Sequence, residues 1–127
     1  MLSDRTSEVG LGEIDVRSLG VQDGRILFGT ESGQLIEYNN GSWDVYSSRY
    51  LGTDKGIYAI AVSPDGSTWF GTNGDGIIGF ENGKKITITI EDGLPSNYVR
   101  ALAVSGNSLW AACYGGTAEI KIGEEKE

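Results

Sequence analysis

An internal repeat of about 40 residues governs what this chain can fold into. Leu27-Phe28-Gly29-Thr30 returns as Trp69-Phe70-Gly71-Thr72, and Trp110-Ala111-Ala112-Cys113 follows at nearly the same spacing. A second register agrees. Val16-Arg17-Ser18-Leu19-Gly20-Val21 matches Ile57-Tyr58-Ala59-Ile60-Ala61-Val62 and then Val99-Arg100-Ala101-Leu102-Ala103-Val104. Gly10-Leu11 and Gly93-Leu94 link the first and third copies at the shift that carries Val16 to Val99. Three copies, near 14–55, 56–96 and 97–122, cover most of the 127 residues as one domain. Self-similarity at such a period marks an architecture of stacked units.

A period of this length fits either a helical pair or a four-stranded blade. Turn chemistry separates the two. Asp23-Gly24 and Asp65-Gly66 each divide two alternating apolar runs, and Gly106-Asn107 holds that place in the third copy. Asn40-Gly41 and Asn82-Gly83 mark the next hairpin. Such pairs accept the positive φ angles of tight hairpin turns. No segment joins a 3.6-residue apolar period to helix caps. The expected fold is therefore all-β, of β-propeller type, with three four-stranded antiparallel repeats. The first strands fall at 15–21, 56–62 and 98–104, and the second at 26–30, 68–72 and 109–113. The third strands fall at 34–38, 77–80 and 117–122, and the fourth at 43–47 and 85–90.

Alternation along the first strands assigns their faces. One face carries Ser18, Gly20, Ala59, Ala61, Ala101 and Ala103, and the other carries Leu19, Val21, Ile60, Val62, Leu102 and Val104. Small faces set against large faces would let successive sheets stack closely. The third copy stops before its fourth strand, leaving only the charged tail Glu124-Glu125-Lys126-Glu127, expected to fray. At the shift that links the first and third copies, positions 2–6 align with 85–89, so the segment 1–13 is expected to complete the last blade. Three blades are too few for a ring, since propellers close with roughly four to eight. The expected partner is a second copy, giving six blades. A trimer giving nine, or the rest of a longer propeller, are the alternatives.

Composition narrows the function. With 18 acidic and 10 basic residues the net charge is −8, which argues against nucleic acid as a partner. No apolar run approaches the roughly 20 residues of a membrane span, and the polar start Met1-Leu2-Ser3-Asp4-Arg5 is not that of a signal peptide. There is no His, which removes the commonest general base and metal ligand. The single Cys113 has no basic partner in its sequence neighbourhood and reads as a buried structural thiol.

The run Asp92-Gly93-Leu94-Pro95-Ser96-Asn97-Tyr98-Val99-Arg100-Ala101-Leu102-Ala103 resembles the two-component regulator propeller repeat, whose blade reads D-G-L-P-x-N-x-V-x-A-I, then L-W-x-G-T, then G-G-L. Trp69-Phe70-Gly71-Thr72 and Leu109-Trp110 match its second element, and Gly115-Gly116 its third. The resemblance implies a bacterial sensor module in signal transduction, periplasmic and in many cases carbohydrate-responsive. Ala111-Ala112-Cys113 and Thr117-Ala118-Glu119 drift from the pattern, and no kinase part is present, so the role is carried by analogy. Ser63-Pro64-Asp65-Gly66-Ser67-Thr68-Trp69 resembles, one residue short, the Asp-box turn of sialidase-like propellers. The Gly-His and Trp-Asp signatures of Trp-Asp repeats are absent.

In an up-and-down sheet the tight turns share one end, and the second-to-third-strand loops share the other with the connections between copies. Irregular loops on a rigid scaffold are where binding residues concentrate. That end carries Glu31, Asn73, Asp75, Asn97 and Tyr114, with Arg17, Tyr58 and Arg100 at the starts of the first strands. These eight are the candidate ligand-binding residues, and ordinary polar loop tips are the competing reading. Asn73-Gly74-Asp75-Gly76 lacks the further acidic ligands of a calcium cage. Trp69 and Trp110 read as core or blade-interface packing, and Trp43, after a hairpin turn, as partly exposed. No cofactor, metal or catalytic set is expected. The expected function is non-catalytic binding of a small ligand, carbohydrate included, or of a protein. The alternatives are a sialidase-like or lyase-like enzyme using Arg17, Arg100, Tyr58 and Tyr114, and a purely structural self-assembling repeat.

Overall fold

The computed structural model describes residues 14–123, which form three successive antiparallel sheets. Blade 1 comprises β1 (Val16–Gln22), β2 (Arg25–Thr30), β3 (Leu35–Asn39) and β4 (Ser42–Tyr46). Blade 2 comprises β5 (Ile57–Val62), β6 (Thr68–Thr72), β7 (Ile77–Glu81) and β8 (Lys84–Ile88). Blade 3 comprises β9 (Val99–Ser105), β10 (Ser108–Cys113) and β11 (Gly116–Lys121). Within each sheet the strands lie in chain order, with the first strand on one edge. The chain is thus built of β-propeller blades.

Hairpin chemistry sets this order. Asn40 and Gly41 have φ of 53° and 93°, and Asn82 and Gly83 of 53° and 76°, which closes two-residue loops between Asn39↔Ser42 and Glu81↔Lys84. Positive φ at both central residues matches the turn to the twist of the strands it joins. The fourth strand expected over 85–90 ends earlier, at Ile88. There Thr89 caps a 3-10 turn, Ile90–Asp92, accepting the Glu91 N–H while the Asp92 carboxylate accepts the N–H of Thr89. The β4–β5 connection holds a short helix, α1 (Ser48–Leu51), between the Ser47 cap and Gly52 at φ 86°. A single turn is too short to show a helical period in sequence.

Blades stack small face against large face, as the alternation predicts. A Cβ added at Gly20 would lie 2.5 Å from Ile60 Cγ2, and one added at Gly29 would lie 2.6 Å from Ile57 Cγ2. At the next junction a Cβ on Gly71 would meet Val99 Cγ1 at 2.6 Å. Two cores result, one per junction. Leu27, Leu35, Leu51, Ile57 and Phe70 fill the first, with Tyr46, Ile60 and Phe80 at its margin. Trp69, Ile77, Leu94, Val99, Leu109 and Ala111 fill the second.

Trp69 is 1% exposed and its indole N–H donates to Ser63 Oγ at 2.9 Å, while Ser67 N–H donates to Asp65 Oδ1 at 3.0 Å. The segment resembling an Asp-box is thus an internally bonded turn. Trp110, expected to be packed like Trp69, stands 45% exposed. Its strand position is equivalent, but among the described residues no further blade covers it. The expected fourth strand at 2–6, the Gly10-Leu11 pair and the tail 124–127 lie outside the described residues.

Candidate functional site

The first strands β1, β5 and β9 lie side by side along the inner edge of the fan. Small residues at Ser18, Ala59 and Ala101 keep this edge shallow, leaving a groove of about 250 Å³ that Tyr58 and Arg100 also line. The residues starting these strands are held by a repeated bond from the loop above. Glu31 N–H donates to Asp15 O at 2.9 Å, Asn73 N–H to Gly56 O at 2.9 Å, and Tyr114 N–H to Tyr98 O at 2.9 Å. Loop tips and strand starts are therefore fixed together at one end of each blade.

Three of the eight candidates meet there. Arg17 Nε donates to Glu31 Oε1 at 2.6 Å, and the Tyr58 hydroxyl donates to the same oxygen at 3.1 Å. The guanidinium also sits 5.9 Å from the centroid of the Tyr58 ring, across the junction between blades 1 and 2. The hydrogen bond and charge of Glu31 push the Arg17 pKa further up from an already high value. Exposed ion pairs contribute little stability, so this cluster is better explained as a polar surface feature than as a structural clamp. Arg100 occupies the equivalent position in blade 3 with no ion-pair partner among the described residues.

The remaining candidates separate from that cluster. Asp75 accepts the Thr53 hydroxyl at 2.7 Å, and its own N–H donates to Thr72 Oγ1 at 2.9 Å. Asn97 accepts the N–H groups of Gly74 and Gly76 on its carbonyl, at 3.1 and 2.9 Å, and that of Ile90 on Oδ1 at 2.9 Å. Both residues brace the loop between β6 and β7. Asn73 bridges Tyr98, and Tyr114 is 71% exposed at the tip of blade 3. Tyr98, absent from the candidates, is 49% exposed and comes close to Gly74. Its signal in sequence is an aromatic residue where the other copies carry Asp15 and Gly56.

Loop length explains Cys113. Thr30 and Thr72 each close a four-residue loop by donating their hydroxyls to Gln34 O at 3.0 Å and Gly76 O at 2.8 Å. In blade 3 the loop is only Tyr114-Gly115, so no such carbonyl needs a hydroxyl. Cys113 is buried, and desolvation pushes its thiol pKa up, away from the reactive thiolate.

At the opposite end and outer rim, the blades diverge into clefts of about 470 Å³ between blades 1 and 2 and about 490 Å³ between blades 2 and 3. Glu37 is buried in the first, accepting from Arg25 Nη1 at 3.1 Å and from the Tyr46 hydroxyl at 3.2 Å. Leu51 and Tyr50 of α1 close it from the rim, with the Tyr50 ring stacked 5.9 Å from Phe80. No helix among the described residues is long and apolar enough to cross a membrane.

No known protein family matches the chain, and no curated protein matches it in sequence. Solved structures do match in fold. The extracellular domain of a one-component system from B. thetaiotaomicron superimposes with a TM-score of 0.70 at 19% identity, over 85% of this chain and 15% of that one. The WD40 repeats of RRP9 give 0.64 at 17% identity, over 87% of this chain and 39% of theirs. A catalytically inactive histidine-to-alanine variant of virginiamycin B lyase from Staphylococcus aureus, solved with quinupristin, gives 0.64 at 16% identity, over 91% and 44%. This chain therefore spans less than half of each of the three.

Proposed function

We propose that this chain is a non-catalytic propeller segment of the two-component regulator type, binding a small ligand or a protein through its loop face in a sensor setting. The observation that carries this reading is the cluster of Arg17, Glu31 and Tyr58, with Arg100 across the groove. The repeated blades place Arg17, Tyr58 and Arg100 at one equivalent position, beside small residues that leave the inner edge open. Guanidinium, phenol and carboxylate groups suit hydroxyl-rich or acidic ligands, oligosaccharides included. The likeness to the extracellular domain from B. thetaiotaomicron supports the sensor setting. The lyase-like alternative has a neighbour too, but that neighbour is inactive once a histidine becomes alanine, and these 127 residues contain no histidine.

Amide shift mapping with neutral oligosaccharides, acidic oligosaccharides and short peptides tests the reading. The expected result is perturbation clustered at residues 17, 31, 58 and 100, lost in Arg17→Ala/Arg100→Ala. Binding that ignores this double substitution would overturn the assignment of the site. Turnover of a glycan by the parent chain, abolished in the double variant, would overturn the non-catalytic reading.

A further inference from the structure

The two ends of the three-blade arc carry opposite halves of one interface. At both internal junctions a blade's small face receives a residue from the start of the next blade's first strand: Ile57 at the first and Val99 at the second, each 0% exposed. Val16 is the equivalent residue of blade 1, and it is 37% exposed. Leu19 and Val21, equivalent to Ile60 and Val62, are 60% and 67% exposed. At the other end, Ala101 and Ala103 of blade 3 are exposed, and they align with Ala59 and Ala61, which are buried against blade 3. Trp110 stands beside them, equivalent to the covered Leu27 and Trp69.

We propose that the small face of blade 3 receives the large face of blade 1 of a second copy of this chain, head to tail, so that two chains close one six-bladed ring. The occupant is argued from continuity. The seam would repeat an interface that the chain already makes twice, with Ala101 and Ala103 meeting Leu19 and Val21. Two copies place the ring among the roughly four to eight blades of closed propellers. One position departs from the internal pattern. Ala112 stands where Gly29 and Gly71 give way to Ile57 and Val99, so its methyl would hold the new seam wider than the internal ones.

Leu19 and Ala101 also line the inner-edge groove, but the inference does not rest on the ligand reading, since it is argued from the stacking of blades alone. Light scattering of the full chain after size exclusion, over a range of concentrations, should give the mass of two chains. Ala103→Glu and Leu19→Glu should each reduce it to one chain while preserving the β-sheet circular dichroism. Ala112→Gly should lower the dissociation constant several-fold, an effect that misfolding cannot mimic. A one-chain mass for the parent, with end faces that accept only blades of a longer or different chain, would overturn the proposal. A three-chain mass would overturn the six-bladed ring. A two-chain mass insensitive to both glutamate substitutions, in variants that remain folded, would overturn the head-to-tail seam.

Discussion

At the residue scale, the glycines inside strands are what lets blades approach one another. Gly71 lies in β6 with its missing side chain directed at Val99, where a Cβ would sit 2.6 Å from Cγ1 and 3.1 Å from Cβ of that residue. A branched side chain near its own backbone has little room to retreat. Gly71→Ala should therefore destabilise the fold by about 1–3 kcal/mol through overpacking, read as a lower urea midpoint at unchanged slope. Thr72 beside it donates to Gly76 O and accepts from Asp75 N–H, both fully within the loop it closes. Thr72→Val should cost about 1–3 kcal/mol, because it removes the acceptor of the part-buried Asp75 N–H, while Gly76 O keeps only the backbone N–H of residue 72. The corresponding Cys113→Val change should cost less, since no loop carbonyl depends on that side chain.

At the scale of elements, the connection α1 explains why the cleft between blades 1 and 2 differs from its neighbour. Leu51 enters the core at 1% exposure, and Tyr46, Tyr50, Phe80 and Phe70 form a chain of ring contacts leading to it. Beside this chain, burial raises the Tyr46 pKa above its usual value of about 10, with the Glu37 charge and hydrogen bond adding to it. The sign follows from linkage. The folded state holds the phenolic proton more tightly than the unfolded chain does, so this contribution is complete below about pH 10 and fades as pH rises through the folded value. Alkaline urea titrations should show an added loss of stability above about pH 10, absent in Tyr46→Phe. Equal alkaline slopes for the parent and the variant would refute the assignment.

At the scale of the whole molecule, each blade buries its faces only where a neighbouring blade exists, so the exposed Val16, Leu19, Val21 and Trp110 mark the two ends of the arc. A ring formed from two chains would bury these groups in the native state alone. The thermal midpoint should then rise with protein concentration, as expected for any equilibrium in which folding and association are coupled. A midpoint independent of concentration over the range where two chains are associated would contradict that coupling.

The amino-acid sequence by itself determined the repeat, the hairpin positions and the face of each strand, because these depend on local turn chemistry and a two-residue alternation. Asn40-Gly41 and Asn82-Gly83 dictate their turns wherever they occur, and Gly20 must face something large whatever that partner is. Tertiary structure alone decided which polar residues are free. Asn97 and Asp75 look like loop-tip ligands in sequence, yet backbone amides and a hydroxyl from distant segments occupy them. Arg17 and Glu31 meet within blade 1, and Tyr58 of blade 2 joins them only after stacking. Trp69 and Trp110 occupy equivalent strand positions, but Trp69 lies over Gly79 and is covered by blade 3, whereas Trp110 pairs with Glu119 and no further blade among the described residues covers it. Local pattern can fix how a strand turns and which way its side chains point, but burial and pairing depend on what the neighbouring blade brings.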